Sequence, residues 1–366
     1  MKILHFINNL GSGGAEKLIT DILPHIRNQD NDVYVMVCNH DKSLSRFKDK
    51  LAKANIPIIN LHYSFYNPLQ IFKIIRIVNQ NEFELIHAHI FPSQYWLAIS
   101  SLFFSRKVKL VKTEHSIFNK RQKLGVLKFI EHFVYSRYYK IIAISEMVKE
   151  RLPKKLREKE KITVINNGVN LKEIESEKAL GSRIDFPFLR DDKFNVLMVG
   201  RFEADGSKDH PTLIKAISLL DEDVHLFFAG EGPILQNIKL VADELNVQHR
   251  VTFLGVRNDI YRLMSQVDLN VLCTNFEGLS GVTLESLASG KPFLGSDVPG
   301  VQEIVPDNRF LFPKQNPVAL AEKIKNLQQD ELLRKEMVEK SIKFIQKFDI
   351  NNMVQRYLQV YREVLN

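Results

Sequence analysis

Short apolar runs alternate with helix-length segments along the first half of this chain. The runs are KILHFI, DVYVMVC, IPIINL, ELIHAHI, VKLVKTEH, KIIAIS and ITVIN. Such runs are typical of strands that are buried on both faces. Because parallel strands need long crossover connections, the helix-length connectors predict a mainly parallel sheet covered by helices. The first half is therefore expected to be Rossmann-like.

The same pattern restarts in the second half, with the runs FNVLMVG, VHLFFAG, RVTFLG, LNVLCT, KPFLGS and FLFP. Between the halves, residues 173–192 are polar and contain no strand candidate, so we place a linker there. The sequence thus predicts an α/β protein with two doubly wound domains, residues 1–172 and 190–348. Residues 349–366 have apolar side chains at helical spacing and predict a terminal amphipathic helix. Domains of this kind bind ligands at strand carboxyl ends, so we expect the site in a central cleft between them.

Length and composition agree with this organisation. The chain has 366 residues, of which 45% are hydrophobic and 26% charged, and these are ordinary values for globular proteins. Cys38 and Cys273 lie in apolar runs of opposite halves, which predicts buried thiols and a cytoplasmic location. The apolar run at the N-terminus is too short for a signal peptide or a membrane span, and it is expected to form a first buried strand.

Positive charge is concentrated in one segment of the first half. The net charge is +8, and residues 106–161 contain 17 basic and 6 acidic residues. This excess suggests contact with an anionic membrane or with nucleic acid, and no nucleic-acid-binding motif accompanies it. We therefore expect peripheral contact with the inner face of a membrane and no nucleic-acid partner. Solvated helix faces are the alternative.

The predicted helix over residues 125–139 lies within this basic segment. Its apolar stripe follows Lys120, Arg121 and Lys123, with Lys128 in its first turns. Such a helix could lie on an anionic membrane. Packing of its apolar face on the sheet is the interpretation that we favour.

A glycine-rich turn, Gly11-Ser12-Gly13-Gly14-Ala15-Glu16, follows the first strand and leads into a helix. Glycines there let backbone N–H groups approach an anion at the helix N-terminus. The spacing is not G-x-G-x-x-G, and no acidic residue ends the second strand, so NAD binding is disfavoured. Glycines that serve only a tight turn remain an alternative.

Three histidines lie at or near the carboxyl ends of predicted strands. His87 and His89 fall on one face of ELIHAHI, but no third ligand is visible nearby, which makes a zinc site improbable. His115 follows the next strand, between Glu114 and Ser116. From the residues alone, His115 is either a structural histidine or a substrate contact.

Two cations follow the first strand of the second domain. Gly200 and Arg201 close this strand, and Lys208 lies in a polar loop before the next helix. A guanidinium can hold two phosphate oxygens, and a lysine supplies a mobile positive charge for a leaving group. The pair therefore predicts a diphosphate site. A surface pair of bases is the alternative.

The stretch from Thr274 to Glu285 is the most informative segment of the chain. It follows the strand LNVLC and contains a glycine-bearing turn before a helix, which predicts a phosphate site at the helix N-terminus. Glu285 in the helix can accept hydrogen bonds from ribose hydroxyls, and Glu277 in the loop can face sugar hydroxyls. Two carboxylates could also act as acid and base in hydrolysis, although their positions do not guarantee that they face each other.

Glu277 to Glu285 is similar to the E-x7-E motif of the GT-B fold glycosyltransferases of family 4. The chain resembles this family over about 300 residues in further motifs, in the right order. These are GSGGAEK, ELIHAH, KTEH, INNGV, VGRF, KDHPTLIKAI, FFAGEGP, RVTFLG, FEGLSGVTLESLASGKP and GVQEIV. The resemblance implies a GT-B fold, and we expect the terminal helix to return to the first domain.

The resemblance also implies roles for individual residues. Arg201 and Lys208 would hold the diphosphate, Glu277 and His115 would contact the transferred sugar, and these four are the expected catalytic residues. Glu285 would bind the ribose, and the Val256 backbone would contact the base. The expected substrate-binding residues are Gly13, Gly14, Gly200, Val256, Gly278, Leu279, Ser280, Gly281, Val282, Thr283 and Glu285.

Two departures from the family pattern are visible. The loop EADGSK separates Arg201 from Lys208, so the position of the lysine is uncertain from sequence. Ser286 and Leu287 replace a frequent pair of small residues after Glu285, which should not disturb the ribose contact.

The family implies a retaining transfer from a nucleotide diphosphate sugar, with UDP favoured, to a saccharide or lipid-linked acceptor in surface polysaccharide biosynthesis. No cofactor and no metal ion is required by this arrangement. The rival interpretations are a GT-B fold nucleotide-sugar epimerase and a non-catalytic nucleotide-sugar binding subunit of a glycosyltransferase complex.

Overall fold

The computed structural model describes residues 1–11, 13–41, 43–116, 125–157 and 161–366, with the side chains of residues 125–128 and 155 outside this description. The chain forms two compact units. Unit 1 comprises Met1–Gly168 and Ile350–Asn366, and unit 2 comprises Val169–Asp349. Each unit is described separately.

Unit 1 contains a parallel sheet of seven strands within the described residues, in the order β3-β2-β1-β4-β5-β6-β7. The strands are β1 (Lys2–Ile7), β2 (Asp32–Val37), β3 (Ile58–Asn60), β4 (Leu85–His89), β5 (Lys109–Glu114), β6 (Lys140–Ala143) and β7 (Ile162–Val164). Strand order reverses between β1 and β4. At such a switch point the loops after two adjacent strands diverge to opposite faces and leave a crevice at their carboxyl ends.

Helices cover both faces of this sheet. They are α1 (Gly14–Arg27), α2 (Ser45–Lys53), α3 (Gln70–Gln80), α4 (Ser93–Ser100), α5 (Gly125–Arg137), α6 (Glu146–Arg151), α7 (Lys154–Arg157) and, after unit 2, α16 (Ile350–Leu365). Alternation along β1 sends Ile3 and Ile7 into a core with α1, α2 and α16. Leu4 and Phe6 point into a second core with α3, α4 and α5. The apolar runs of the sequence are thus buried on both faces, as predicted.

The C-terminal helix α16 belongs to unit 1, which confirms the predicted return to the first domain. Its stripe of Met353, Val354, Tyr357, Leu358 and Tyr361 is buried in the core that includes α1. The spacing of these residues places them on one helical face, so the helix can bury this face in unit 1 while its other face stays polar.

Unit 2, in which every residue is described, contains a parallel six-stranded sheet in the order β10-β9-β8-β11-β12-β13. The strands are β8 (Phe194–Val199), β9 (Val224–Ala229), β10 (Val251–Phe253), β11 (Leu269–Leu272), β12 (Phe293–Ser296) and β13 (Leu311–Phe312). The helices are α8 (Leu171–Leu180), α9 (His210–Ser218), α10 (Leu235–Glu244), α11 (Ile260–Gln266), α12 (Gly281–Ala288), α13 (Pro299–Gln302), α14 (Pro317–Gln329) and α15 (Glu331–Ile345). Its switch point lies between β8 and β11.

The polar stretch that we interpreted as a linker is instead an ordered part of unit 2. It contains α8 and a short 3-10 turn at Arg183–Asp185. Ile174, Phe186 and Leu189 are buried, and Phe186 and Leu189 join a core cluster with residues of β8 and β9. A few isolated apolar residues therefore anchor a segment whose composition is mostly polar.

Two further predictions concern the surface and the thiols. Cys38 and Cys273 are free and buried, and burial raises the pKa of the Cys38 thiol to about 12. Lys120, Arg121 and Lys123 of the basic segment lie outside the described residues. Among the helices that the structure describes, none is both long and apolar enough to cross a membrane.

Candidate active site

The predicted residues of the second half meet at the carboxyl edge of the unit 2 sheet. Arg201 follows β8, and Glu277 follows β11, so both lie at the switch point of this sheet. Loops after adjacent strands leave a crevice at such a point, and helix N-termini point into it. The position of the site therefore follows from strand order.

Lys208 and Glu277 form an ion pair, with the lysine Nζ on the Oε1 atom of the glutamate. Both side chains are largely shielded from solvent. The Thr274 hydroxyl lies 3.2 Å from the same Oε1 atom. The carboxylate of Glu277 is thus held by two side chains, one of which is far from it in sequence.

Backbone hydrogen bonds hold the loop that carries Lys208. The Asp209 N–H donates to the Cys273 carbonyl at 3.0 Å, and the Asn275 N–H donates to the Ser207 carbonyl at 2.8 Å. Lys208 also forms an isolated antiparallel bridge with Thr274. The position of Lys208 is therefore defined although the loop EADGSK is extended, because the end of this loop pairs with the segment before Glu277.

Arg201 has a different environment. Its exposed guanidinium pairs with the Glu203 carboxylate, within the same loop. The structure thus brings Lys208 together with Glu277, whereas Arg201 lies at the same sheet edge with another partner. A ligand that used Arg201 would have to compete with Glu203 for it.

Two glycines of the FFAGEGP motif pack against the Gly200–Phe202 backbone. Gly230 has φ +147° and Gly232 has φ +158°. A Cβ atom at Gly230 would lie 2.0 Å from the Gly200 carbonyl oxygen, and one at Gly232 would lie 2.3 Å from the Phe202 carbonyl oxygen. Both positions require glycine. They shape the loop that carries Arg201, and the sequence motifs alone do not identify them as part of the site.

The N-terminus of α12 lies directly after Glu277. Ser280 is the N-cap, and its hydroxyl accepts a hydrogen bond from the Thr283 N–H at 3.2 Å. The backbone N–H groups of Gly281 and Val282 donate no hydrogen bond to any described residue. Two donors at a helix N-terminus are therefore unused within the described residues, an arrangement that suits a phosphate group.

Gly281 has no packing reason to be glycine. A Cβ atom placed on it would meet no heavy atom within 4 Å, and its φ is not in the left-handed region. By contrast, a Cβ atom at Gly300 of α13 would lie 2.4 Å from the Glu277 carbonyl oxygen. Gly300 is a structural glycine that lets α13 approach the loop, and sequence analysis does not predict it as part of the site.

The remaining predicted residues of unit 2 are partly or wholly buried, apart from Val256. Leu279, Thr283 and Glu285 are buried, and Glu285 lies about one turn into α12. The Thr283 hydroxyl is buried without a hydrogen-bond partner among the described residues. Gly278 is half-buried in the loop, and Val256 is exposed after β10.

In unit 1, Gly13 is the N-cap of α1, with φ −77° and ψ 160°, a conformation that any residue can adopt. Gly14 has no heavy atom within 4 Å of its added Cβ atom. Neither glycine has a positive φ. A Cβ atom at Gly13 would lie 2.2 Å from Oε2 of Glu16, so Gly13 leaves room for that side chain. Ser12, between Gly11 and Gly13, lies outside the described residues.

His115 follows β5 at the carboxyl edge of the unit 1 sheet and is partly buried. Its Nε2 atom lies 3.4 Å from Nδ1 of His89, and burial lowers its pKa to about 4. His115 is therefore neutral above about pH 5 and is oriented by a second histidine.

His5 is a third possible metal ligand beside His87 and His89, and sequence analysis did not predict it. The register of β1 and β4 places it beside His87, and ligand atoms of His5, His87 and His89 lie within 4.8 Å of one another. This is the one such group of possible metal ligands in the part of the chain that is described. Adjacency of the first and fourth strands is usual in doubly wound sheets and could have suggested it.

The contacts of these rings favour hydrogen bonds over metal coordination. Nδ1 of His87 lies 2.6 Å from the Tyr361 hydroxyl, and its Nε2 lies 2.8 Å from the Thr113 hydroxyl. Nε2 of His89 lies 3.1 Å from Nδ1 of His5. His87 thus has both nitrogens engaged with hydroxyl groups, which leaves no lone pair directed at a metal ion.

Two family models match the chain. The family described as glycosyl transferases group 1 matches residues 183–344, in unit 2. The family described as Glycosyltransferase Family 4 matches residues 12–173. Together the matches include every predicted site residue.

Similar proteins align with most of this chain. It is 28% identical over 346 residues to the N-acetylgalactosamine-N,N'-diacetylbacillosaminyl-diphospho-undecaprenol 4-alpha-N-acetylgalactosaminyltransferase of Campylobacter jejuni, with 90% of this chain and 91% of the relative covered. It is 33% identical over 229 residues to an uncharacterized glycosyltransferase of Methanocaldococcus jannaschii, with 62% of this chain and 60% of the relative covered.

Solved structures share the fold. HepE of Anabaena in complex with UDP-glucose has a TM-score of 0.84 at 22% identity, covering 99% of this chain and 100% of that chain. A glycosyltransferase of Rickettsia africae has a TM-score of 0.81 at 21% identity, covering 100% of this chain and 98% of that chain.

Proposed function

The chain belongs to the family 4 glycosyltransferases, which have the GT-B fold, and on that premise we propose that it transfers a sugar, with retention of anomeric configuration, from a UDP-sugar to a lipid-linked saccharide. The family, the fold class and the transferase activity predicted from the motifs are confirmed by the two family matches and the named relatives. The donor, the stereochemistry and the acceptor are proposals.

The observation that carries the donor site is the Lys208–Glu277 pair beside the N-terminus of α12. Lys208, Arg201 and the free N–H groups of α12 supply positive charge and hydrogen-bond donors at one sheet edge, which suits a diphosphate. Glu277 would accept hydrogen bonds from the donor sugar, and Glu285 from the ribose. No metal ion is needed in this proposal, because protein cations and backbone N–H groups meet the charge of the diphosphate.

In the proposed reaction the bond between the anomeric carbon and the diphosphate oxygen breaks, and the acceptor oxygen bonds to the same face. The proton of the acceptor hydroxyl passes to the leaving diphosphate. Negative charge grows on the diphosphate in the transition state, so preorganised donors at Arg201, Lys208 and Gly281 would stabilise it most at that stage. The protein then acts mainly by position and electrostatics.

Support for UDP and for a lipid-linked acceptor comes from similar proteins. HepE of Anabaena is solved with UDP-glucose, and the Campylobacter relative is named for an acceptor on diphospho-undecaprenol. A capsule, an O-antigen or a similar surface polysaccharide would be the product of such a pathway.

The test combines binding with turnover. A thermal-shift series across UDP-, GDP- and ADP-sugars should give its largest increase in Tm with a UDP-sugar, since a ligand stabilises the state that binds it. NMR of the product should show the anomeric configuration of the donor. An inverted product would exclude retention, and a larger shift with GDP- or ADP-sugars would exclude UDP.

The rival interpretations give different results. An epimerase would convert the nucleotide sugar without an acceptor, and a non-catalytic subunit would bind it without turnover. Release of free UDP only when a lipid-linked saccharide is present would support the transferase and contradict both.

As a second part of the proposal, unit 1 contacts the membrane surface. Phe72 in α3, Phe103 after α4 and Phe129 in α5 are 71%, 62% and 79% exposed. The helices α3, α4 and α5 all pack on the same core. The exposed basic residues Arg76 and Lys107 lie on or beside these elements. Aromatic rings with nearby cations suit the interface of an anionic bilayer.

Flotation with vesicles tests this contact. Phosphatidylglycerol vesicles at low salt should bind the protein, and phosphatidylcholine vesicles should bind it less. The double variant Phe72→Ser, Phe103→Ser should bind the anionic vesicles less, whereas the matched Leu219→Ser, Leu240→Ser variant in unit 2 should not change binding. If the wild type and both variants float equally, or if none of the three floats, the proposed membrane-binding surface is contradicted.

A further inference from the structure

Apart from the proposed donor site, the structure contains a row of three histidine rings that runs from inside unit 1 to the edge of its sheet. His5 and His89 are buried, and His115 is partly buried. Nδ1 of His5 lies 3.1 Å from Nε2 of His89, and Nδ1 of His89 lies 3.4 Å from Nε2 of His115. The three rings thus form a chain of hydrogen bonds that ends at the predicted sugar contact.

Each ring is neutral, because burial lowers the pKa of His5 to about 3, the pKa of His115 to about 4 and the pKa of His89 well below its usual value. A neutral ring carries one proton, so the two hydrogen bonds can run in only two directions. Either His5 donates to His89 and His89 to His115, or both bonds are reversed.

The buried end of the chain decides between the two directions. Nε2 of His5 is buried and has no hydrogen-bond partner among the described residues. In the reversed direction this atom would carry a buried N–H without an acceptor, whereas in the forward direction it carries only an unused lone pair. Buried N–H groups without a partner are rarer and more costly than acceptors without one. The forward direction is therefore favoured.

We propose that His89, backed by His5, is a positioning residue that holds His115 in the tautomer protonated at Nδ1. Nε2 of His115 then accepts the hydrogen bond from His89, and its Nδ1–H remains as a donor at the sheet edge. His115 would meet a substrate oxygen as a hydrogen-bond donor and not as a base. The role in transfer rests on the proposed function, while the tautomer does not.

Long-range 1H–15N correlation spectra of protein labelled with 15N-histidine measure the tautomer directly. His115 should be mainly protonated at Nδ1, although a free histidine prefers Nε2. His89→Leu removes the donor to Nε2 and should shift His115 toward the Nε2–H form. His89→Asn places an amide where Nδ1 stood and should restore the Nδ1–H form.

A matched control separates this effect from loss of any buried histidine. His225 is buried in unit 2 and contacts the Thr252 hydroxyl at 2.8 Å. His225→Leu should leave the His115 signals unchanged. A wild-type His115 protonated mainly at Nε2, or an unchanged His115 in His89→Leu, would overturn the proposal.

A bound metal ion would also overturn it. Stoichiometric zinc, copper, nickel or iron in the purified protein, lost in His5→Leu, would show that the ring nitrogens are ligands. The hydrogen-bond chain predicts that the protein retains none of these metals at this cluster.

Transfer kinetics test the functional part. His89→Leu should lower kcat by about tenfold, because a contact to the substrate that is no longer oriented is misplaced in the transition state, and His89→Asn should recover most of it. An unchanged kcat in His89→Leu, with the tautomer shifted, would overturn the role in transfer. If the wild-type protein transfers no sugar, the proposed function fails, while the tautomer result still decides the hydrogen-bond chain.

Discussion

At the scale of single residues, Lys208 and Glu277 show how distant positions form one site. The sequence leaves Glu277 open to interpretation as a hydrolytic acid or base, but it is paired with a cation at the edge where a diphosphate is expected. A carboxylate held by Lys208 and Thr274 is already engaged as an acceptor. It is therefore better suited to orient a sugar hydroxyl than to act as a general acid.

Lys208→Ala and Arg201→Ala should each lower kcat/KM at least 100-fold, a typical loss when an electrostatic stabiliser of a transition state is removed. The pair of the exposed Arg201 with Glu203 contributes about 1 kcal/mol or less, so Arg201→Ala should keep its stability. Lys208→Ala leaves the shielded Glu277 carboxylate without its cation and should lose some stability, and far-UV circular dichroism should show that it remains folded. Lys215→Ala is the matched control, because Lys215 is an exposed lysine of α9. Wild-type turnover by either site variant would contradict the assignment of the diphosphate site.

The Gly281→Ala variant distinguishes a role of Gly281 in ligand binding from a role in protein packing. The added methyl group meets no protein atom within 4 Å and lies in a helical position, so stability should stay the same or rise slightly. If a phosphate lies on the α12 N-terminus, the methyl group should weaken UDP binding about tenfold. Calorimetry of UDP binding and urea unfolding would measure the two effects, and unchanged binding would show that the phosphate lies elsewhere.

At the scale of elements, α16 closes unit 1 through polar contacts as well as apolar packing. The Tyr361 hydroxyl lies 2.6 Å from Nδ1 of His87 in β4, and the Tyr357 hydroxyl lies 3.4 Å from that of Thr113 in β5. These side chains are buried, so their hydrogen bonds form away from water. The helix is therefore held in a defined register against two neighbouring strands.

Tyr361→Phe should destabilise unit 1 by about 1–3 kcal/mol, because it leaves a buried nitrogen of His87 without its partner. Urea unfolding followed by a probe in unit 1 would measure the loss. Tyr66→Phe is the control, since Tyr66 is an exposed residue of the same unit and its change should stay within about 0.5 kcal/mol. Equal stability of the two variants would mean that the His87 contact contributes little.

At the scale of the whole molecule, buried neutral histidines make stability depend on pH. Burial lowers the pKa of His5 and of His210 to about 3 and that of His225 to about 4, from a usual value of 6.5. Below pH 6.5 the unfolded chain binds protons that the folded chain does not, so unfolding becomes easier as the pH falls. Carboxylates with lowered pKa, such as Asp21, add a loss only at lower pH.

The urea midpoint should therefore fall between pH 7 and pH 5, where most carboxylates are still ionised. Each such histidine contributes up to about 1.4 kcal/mol per pH unit. His210→Phe should reduce this slope and keep the ring contact, because His210 stacks on Phe202 with centroids 4.1 Å apart. His132→Gln, at an exposed position, should leave the slope unchanged. A midpoint constant over this range would contradict burial of neutral histidines.

The order of residues was sufficient to predict the alternation of strands and helices, the family, and the position of each motif at a strand end. These features are local: a buried strand, a glycine turn and a helix N-terminus are encoded in consecutive residues. Arg201, the turn before α12 and the stripe of α16 could therefore be placed from the order of residues alone. The linker predicted at residues 173–192 was wrong, because the few apolar residues of this segment show no helical or strand periodicity.

Which of these residues contact one another depends on the three-dimensional fold. Lys208 reaches Glu277 because its loop pairs with the segment after β11, and His5 joins His87 because β1 lies beside β4. The close approach at Gly300 likewise depends on how α13 lies against the loop of Glu277. Such contacts join residues that are far apart in the chain, and strand order and loop pairing, which no single segment encodes, bring them together.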